Sequence, residues 1–299
     1  MLNLLFGILT VITVIFTFVY VSDYRKNRNP EKSDMFKKGL IIGAITDFFD
    51  AIGVGSFATT TAIFKLSKGV NVSDKLLPGT LNVAHALPMV AQAYLSLKVI
   101  EVDSSTLVLM IITAVLGSWL GAGIISKLPE KKVQLTMGVA LLGTAVLLIL
   151  GQLNLMPSGG DAMGLTGTKL IVGLAGSFIL GALMTAGIGF YAPCMAMVAL
   201  LGMNPQASFP IMMGACAFIG PIACIKFIKQ GSYEREISMG ITLTGIIGSI
   251  VAILFVKNMP VYWLKWLVVG VVLYTSYTMF ASVKKKSSYT VSAPIKEKA

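Results

Sequence analysis

The sequence predicts an all-α polytopic membrane protein of two inverted-topology repeats, preceded by one extra N-terminal transmembrane helix. Three observations predict this fold class. Of the 299 residues, 56% are hydrophobic and 12% charged, with a mean hydropathy of +0.83, so the chain must use lipid as its solvent. Apolar stretches of roughly 20 residues, enough to cross a bilayer, recur along it. Two longer stretches are interrupted by glycines at corresponding places in the two halves.

The apolar segments are expected to be helices. The first lacks a basic start and a small-residue cleavage site, and positive charge follows it, so we expect a retained helix rather than a signal peptide. The polar tail from Lys284 is expected to be flexible. The segments are residues 2–20, 38–66, 78–98, 105–126, 132–152, 168–201, 207–229, 237–256 and 260–282.

Segments 38–66 and 168–201 are too long for a single crossing. Each is either one tilted, interrupted helix or a re-entrant hairpin that enters and leaves on the same side. Charge favours hairpins, because cytoplasmic loops are enriched in Lys and Arg. With single crossings, the loop holding Lys127, Lys131 and Lys132 would face outward. The sequence therefore predicts a multi-pass protein of the inner or plasma membrane, with its N-terminus outside and its C-terminus cytoplasmic.

An offset near 133 residues aligns the second half of the chain with the first. GVGSFATTTAIFKL, from Gly53, aligns with GIGFYAPCMAMVAL, from Gly187, and Pro88 aligns with Pro221. Such matches indicate an internal repeat. One hairpin plus three crossings is an odd number, so the second unit inserts upside down. The expected organisation is an N-terminal helix with a basic cytoplasmic loop (1–35), repeat unit 1 (36–155), repeat unit 2 (156–283) and a basic tail (284–299).

The net charge of +11 does not indicate nucleic-acid binding, because the Lys and Arg residues lie between apolar segments and at the C-terminus. The cysteines show no metal-ligand spacing, so no disulfide, metal or cofactor is expected. Asp47 and Asp50 could serve an intramembrane enzyme, but no nucleophile accompanies them, so the chain is not expected to be an enzyme.

The glycine-rich interruptions fall where a half-helix would begin. Unpaired N–H groups and the positive dipole end at a helix start bind anions, and glycine lets a solute approach the backbone. The same glycines could instead serve tight helix packing. The expected substrate-binding residues are Gly53, Gly55, Ser56, Thr59, Thr60, Asn82, Gly187, Gly189, Tyr191 and Cys194.

Asp47 and Asp50 lie deep in an apolar segment, and their spacing places them on one helix face. Buried carboxylates in membranes usually face a cavity and carry function. We expect them, with His85, to bind or relay a coupling proton. If the hairpin is shallow, both acids are instead solvated at the cytoplasmic side. For His85, the alternative to a proton relay is a packed, hydrogen-bonded residue.

The segment GIGFYAPCMAMVALLGMNPQASFPIMMGACAF resembles the TauE/SafE sulfite exporter family, and the resemblance extends more weakly over Gly53 to Pro88. It implies an inverted-repeat transporter of small anions such as sulfite or sulfonates. The family's glycine triplet is replaced by Ser56 and Phe57 in one unit and by Phe190 and Tyr191 in the other. Its Val-Pro is replaced by Thr60-Thr61 and Cys194-Met195.

The sequence thus predicts a secondary transporter, an exporter by this resemblance, that carries a small anionic solute across a lipid bilayer by alternating access. A passive anion channel is the nearest alternative. The solute, the transport direction, the coupling ion and the oligomeric state, including a homo-oligomer, stay open.

Overall fold

A computed structural model describes residues 2–67, 69–96, 102–156, 158–255 and 262–284. Regular structure in these ranges is helical, apart from an isolated β-bridge between Ala162 and Met203. Glu101, Lys257 and the tail from residue 285 lie outside the described ranges. The chain is therefore all-α over the part that the structure describes, as the sequence predicts.

The first half holds six helices. Helix α1 extends through Asn27, seven residues beyond the predicted segment, so Arg25 and Lys26 lie in its last turn. Helix α2 likewise begins five residues before the predicted segment. The helices are α1 (Leu2–Asn27), α2 (Ser33–Ala51), α3 (Ser56–Leu66), α4 (Leu77–Ser96), α5 (Ser104–Ile125) and α6 (Glu130–Gln152).

The second half repeats the order of a broken helix followed by three long ones. The pair α7 and α8 corresponds in order to α2 and α3, and α9 to α11 correspond to α4 to α6. The helices are α7 (Gly167–Met184), α8 (Tyr191–Leu200), α9 (Ser208–Lys229), α10 (Arg235–Phe255) and α11 (Tyr262–Lys284).

Seven helices in the described ranges are long and apolar enough to cross a membrane. These are α1, α5, α6, α7, α9, α10 and α11. Helix α2 differs because it carries five charged residues, including Asp47 and Asp50, and α4 differs because it carries Asn82, His85 and Gln92. These two more polar helices therefore supply most of the buried polar side chains considered below.

Both broken helices fold back as hairpins. The ammonium of Lys38, near the start of α2, donates to the carbonyl of Gly69, which follows α3, at 2.9 Å. In the second half, Lys169 near the start of α7 lies beside Gly202, which follows α8: a Cβ built on Gly202 would be 3.2 Å from its Nζ. In each half the end of the short helix has therefore returned to the start of the long one.

Small residues allow the long helices to pack backbone to backbone. A Cβ on Gly240 or Gly248 of α10 would collide with the carbonyl of Phe36 or Ala44 of α2. Gly181 of α7 lies in the same way against the carbonyl of Ala114 in α5. The small residues at these positions therefore serve close contacts between helices.

Candidate functional site at the helix breaks

The first break lies between Ala51, the last residue of α2, and Ser56, the first residue of α3. Gly53 and Gly55 have φ angles of 88° and 91° there, which side chains rarely tolerate. The Gly53 amide donates to the carbonyl of Asp50 at 2.9 Å. The predicted glycines thus provide the reversal that lets α3 begin inside the protein.

The sequence had suggested that the N–H groups at the start of α3 are unpaired, and the structure differs. The Asp50 carboxylate accepts the backbone N–H of Ser56 at 2.7 Å, so an anion of the protein itself sits at the positive end of α3. The same carboxylate accepts from Nε2 of Gln92 at 2.9 Å. A solute anion at this break would therefore share the helix start with Asp50.

Ser56 offers a second donor at this helix start. Its side chain is 1% exposed, and Oγ has no hydrogen-bond partner among the described residues. A buried polar atom without a partner costs roughly 1–3 kcal/mol, so such atoms call for an explanation. A hydroxyl in this state can donate to a bound solute.

A buried acid–histidine pair lies next to the break. Nδ1 of His85 is 2.8 and 2.9 Å from the two carboxylate oxygens of Asp47, and both side chains are fully buried. Nε2 of His85 is 3.0 Å from Oγ1 of Thr60 on α3. The alternative of a solvated acid is therefore wrong for Asp47, and three predicted site residues form one chain of hydrogen bonds.

Three further residues, Gln92, Ser249 and Gly245, extend this cluster to α10, and the sequence reasoning missed them. Gln92 also donates to Oγ of Ser249 at 3.0 Å, and a Cβ on Gly245 would collide with Oδ2 of Asp47. Gln92 lies seven residues after His85, on the same face of α4. An amide at that spacing in an apolar segment was a signal that could have identified it.

The hydroxyl of Thr59 is used by the backbone of its own helix. It donates to the carbonyls of Gly55 at 2.8 Å and Ser56 at 2.9 Å, which is the usual structural role of threonine in a membrane helix. Thr59 therefore has no free donor for a solute, whereas the hydroxyl of Thr60 contacts Nε2 of His85.

The second break lies between Met184 and Tyr191. Gly187 has a φ of 97°, and a Cβ on Gly189 would meet nothing within 4 Å among the described residues. Phe190 precedes α8 and supplies no side-chain cap to it. Helix α8 therefore begins without a side-chain cap, in contrast to α3, whose Ser56 amide is bound by Asp50. Open space is common to both breaks, because a Cβ on Gly53 or Gly55 also meets nothing within 4 Å among the described residues.

Asn82 links α4 to this second break. Its Nδ2 donates to the carbonyl of Thr185, at the end of α7, at 3.2 Å, and to Pro78 at 2.8 Å. Its Oδ1 is buried and lacks a partner in the described ranges. This acceptor could be satisfied by a hydroxyl of a solute.

Cysteines of α8 and α9 lie between the two breaks. Cys194 is fully buried, with Sγ 4.0 Å from the carbonyl of Ser208. Sγ of Cys216 lies 3.8 Å from the sulfur of Met184. Helix α9 packs against both α8 and α4, so it contacts the helix that follows the second break and the helix that carries His85.

No group of three or more His, Cys, Asp or Glu residues that could hold a metal ion occurs in the described part of the chain.

Several apolar helices long enough to span a membrane, with two interrupted helices and buried polar groups around the interruptions, fit a multi-pass membrane transporter. A family model described as Sulfite exporter TauE/SafE matches residues 1–148, so this part of the chain is similar to that family. The match lies on the first half, whereas the sequence motifs were clearest in the second. Comparison with curated proteins and with solved structures found no match.

Proposed function

We propose that this protein is a secondary transporter that carries a small anion, sulfite or an organosulfonate, by alternating access. The observation that carries the proposal is the pair of helix breaks, each next to a buried unpartnered polar atom of Ser56 or Asn82 and connected through α9. An oxyanion fits the Ser56 hydroxyl because it accepts hydrogen bonds. Oδ1 of Asn82 is itself an acceptor, and Nδ2 already donates to Pro78 and Thr185, so Asn82 fits only a hydroxyl group on the solute. Gly187, Gly189, Tyr191 and Cys194 line the second break in this proposal.

An inverted repeat supports alternating access. Helix α2 packs on α10 and α7 packs on α5, while α4 packs on α9 and α6 on α11. Exchanging each helix of one half for its counterpart in the other leaves this set of contacts unchanged. Together with the two hairpins, this symmetry supports repeat units 36–155 and 156–283. Two such units can exchange conformations of similar energy.

The orientation also stays a proposal. The N-terminus lies outside and the C-terminus in the cytoplasm, because this places the basic stretch after α1 and the loop of Lys127, Lys131 and Lys132 inside. Cysteine labelling at position 131 tests it. If an impermeant reagent labels this position from outside intact cells, the proposed orientation is wrong.

The Asp47–His85 pair is proposed to hold the coupling proton. A proton can pass between the carboxylate and Nδ1 over 2.8 Å, and Thr60 contacts the opposite ring nitrogen. Because the pair is buried and spans α2 and α4, a change in its protonation alters the hydrogen bonds between these helices. Asp47→Asn is expected to abolish proton-dependent uptake, and uptake that still follows the proton gradient would contradict this role.

Counterflow in proteoliposomes tests the carrier. Vesicles loaded with unlabelled sulfite are expected to accumulate labelled sulfite transiently, and the rate should saturate. A channel equilibrates the label without accumulation.

A pair of serine variants tests the binding site in the same assay. Ser56→Ala is expected to raise the half-saturating sulfite concentration by roughly ten- to a hundredfold, since one hydrogen bond to a charged group contributes about 1.5–3 kcal/mol. Ser177→Ala is the matched control, because its hydroxyl on α7 is also buried and unpartnered within the described residues but lies two turns before the break. Equal behaviour of the two variants would contradict a role of Ser56 in binding.

A further inference from the structure

A cavity of about 830 Å³ opens between the end of α1 and the starts of α2 and α10. Its rim carries Arg25 and Arg28 at the end of α1, and its apolar wall includes Phe36 and Leu243. The cavity lies away from the helix breaks, because it is formed by the ends of these helices on one side of the bundle. It is therefore not part of the transport site.

The two acidic groups next to this cavity already have hydrogen-bond partners, and one of them, Asp23, is also in an ion pair with Arg235. Glu236, which lines it, accepts from the Tyr24 hydroxyl at 2.8 Å and from the Asn29 amide at 2.7 Å. Asp23 is bound by Arg235 at 2.8 Å and by the Tyr233 hydroxyl at 2.6 Å.

The arginines on the rim, by contrast, are available. Arg25 and Arg28 are exposed and make no hydrogen bond or ion pair with any other described residue. Two unpaired guanidinium groups at one cavity suit a phosphate, which guanidinium binds in a bidentate manner.

The apolar part of the cavity continues along α1. A second groove of about 440 Å³ is lined by Thr13, Val14, Phe18 and Val21 and ends at Arg25. Val21 and Arg25 line both spaces. From Arg25 back to Thr13 the helix rises by about 18 Å, close to the roughly 15 Å of one leaflet's hydrocarbon layer.

We propose that this cavity and groove bind one anionic phospholipid, with its phosphate at Arg25 and Arg28 and an acyl chain along Val14 and Phe18. The charge and the apolar groove together favour a lipid over a free phosphate ion. A zwitterionic lipid would gain less, because its headgroup brings a cation next to the arginines. The occupied site joins α1 to α2 and α10, the helices that carry or contact Asp47.

Binding of dioleoyl phosphatidylglycerol to the purified full chain in detergent, measured by native mass spectrometry, tests this site. Arg25→Gln with Arg28→Gln is expected to weaken the first bound lipid at least tenfold, since each basic residue contributes roughly a fivefold factor. Lys26→Gln with Lys37→Gln removes the same charge from nearby exposed positions that do not line the cavity. This control is expected to change binding less than twofold.

Three outcomes would overturn the proposal. Equal losses in both double variants would mean only diffuse attraction to the basic stretch. If phosphatidylcholine binds as tightly as phosphatidylglycerol, the charge of the lipid does not determine binding. Competition by inorganic phosphate at millimolar concentration would show an ion site without an acyl chain.

Discussion

At the first break, Asp50 occupies the start of α3, and His85 and Gln92 lie on the neighbouring helix. With the repeat aligned, the corresponding residues of the second half are Met184, Phe218 and Ile225. The start of α8 accordingly has no side-chain cap. Open space lies at both breaks, because a Cβ on Gly53, Gly55 or Gly189 would meet nothing within 4 Å among the described residues. The two breaks therefore differ in the polar groups beside them and not in the space that these glycines leave.

The largest effect is expected at the buried pair. His85→Ala leaves Asp47 fully buried without its partner, which should lower the free energy of unfolding by about 3–5 kcal/mol. Adding Asp47→Asn should recover part of this loss, because the remaining group is neutral. Denaturant unfolding in detergent measures both variants. Strictly additive losses would show that the two residues do not interact.

A smaller effect is expected where α10 touches the pair. Gly245→Ala places a methyl group against Oδ2 of Asp47 and should cost about 1–3 kcal/mol through overpacking. Gly143→Ala, in a helical position with nothing within 4 Å of the new Cβ among the described residues, is the control and should keep or raise the melting temperature. If both variants melt alike, α10 does not fit against Asp47 as described.

The cap of α3 should matter for transport more than for stability. Asp50→Ala removes the acceptor of the Ser56 amide and should cost about 1 kcal/mol. Asp103→Ala removes the same kind of cap from α5, where it accepts the Thr106 amide at 2.8 Å. We expect both variants to melt earlier but only Asp50→Ala to change the half-saturating sulfite concentration. If both variants change the half-saturating sulfite concentration equally, Asp50 has no specific role in solute binding.

The smallest effect on stability is expected at Gly189. Gly189→Ala meets open space and has no positive φ, so stability should change by about 0.5 kcal/mol or less. Gly53→Ala also meets open space in the described structure, but its φ of 88° should cost about 1–2 kcal/mol. Melting curves of the two variants separate backbone strain from the loss of space.

Backbone geometry was the part of the molecule most readily predicted. The breaks followed from Gly53, Gly55 and Gly187, because glycine in a long apolar run marks a reversal. Asp47 and His85 were singled out because ionisable residues are costly in a membrane, but which partner each takes depends on how α2 and α4 pack.

Tertiary contacts decided the remaining features. The capping of Ser56 by Asp50 could not be foreseen, since it depends on the angle at which α3 leaves the break. The same limit applied to Ser249 and Gly245, which reach the cluster only through the packing of α10 on α2.

Ligand-induced stabilisation of Gly189→Val most directly tests whether a solute occupies the second break. A ligand that binds the folded state raises its melting temperature in proportion to RT ln(1 + [L]/Kd). We expect sulfite to stabilise the unsubstituted protein saturably and to leave Gly189→Val unaffected, with equal melting temperatures of the two proteins in its absence. Undiminished stabilisation of Gly189→Val by sulfite would contradict binding at this break.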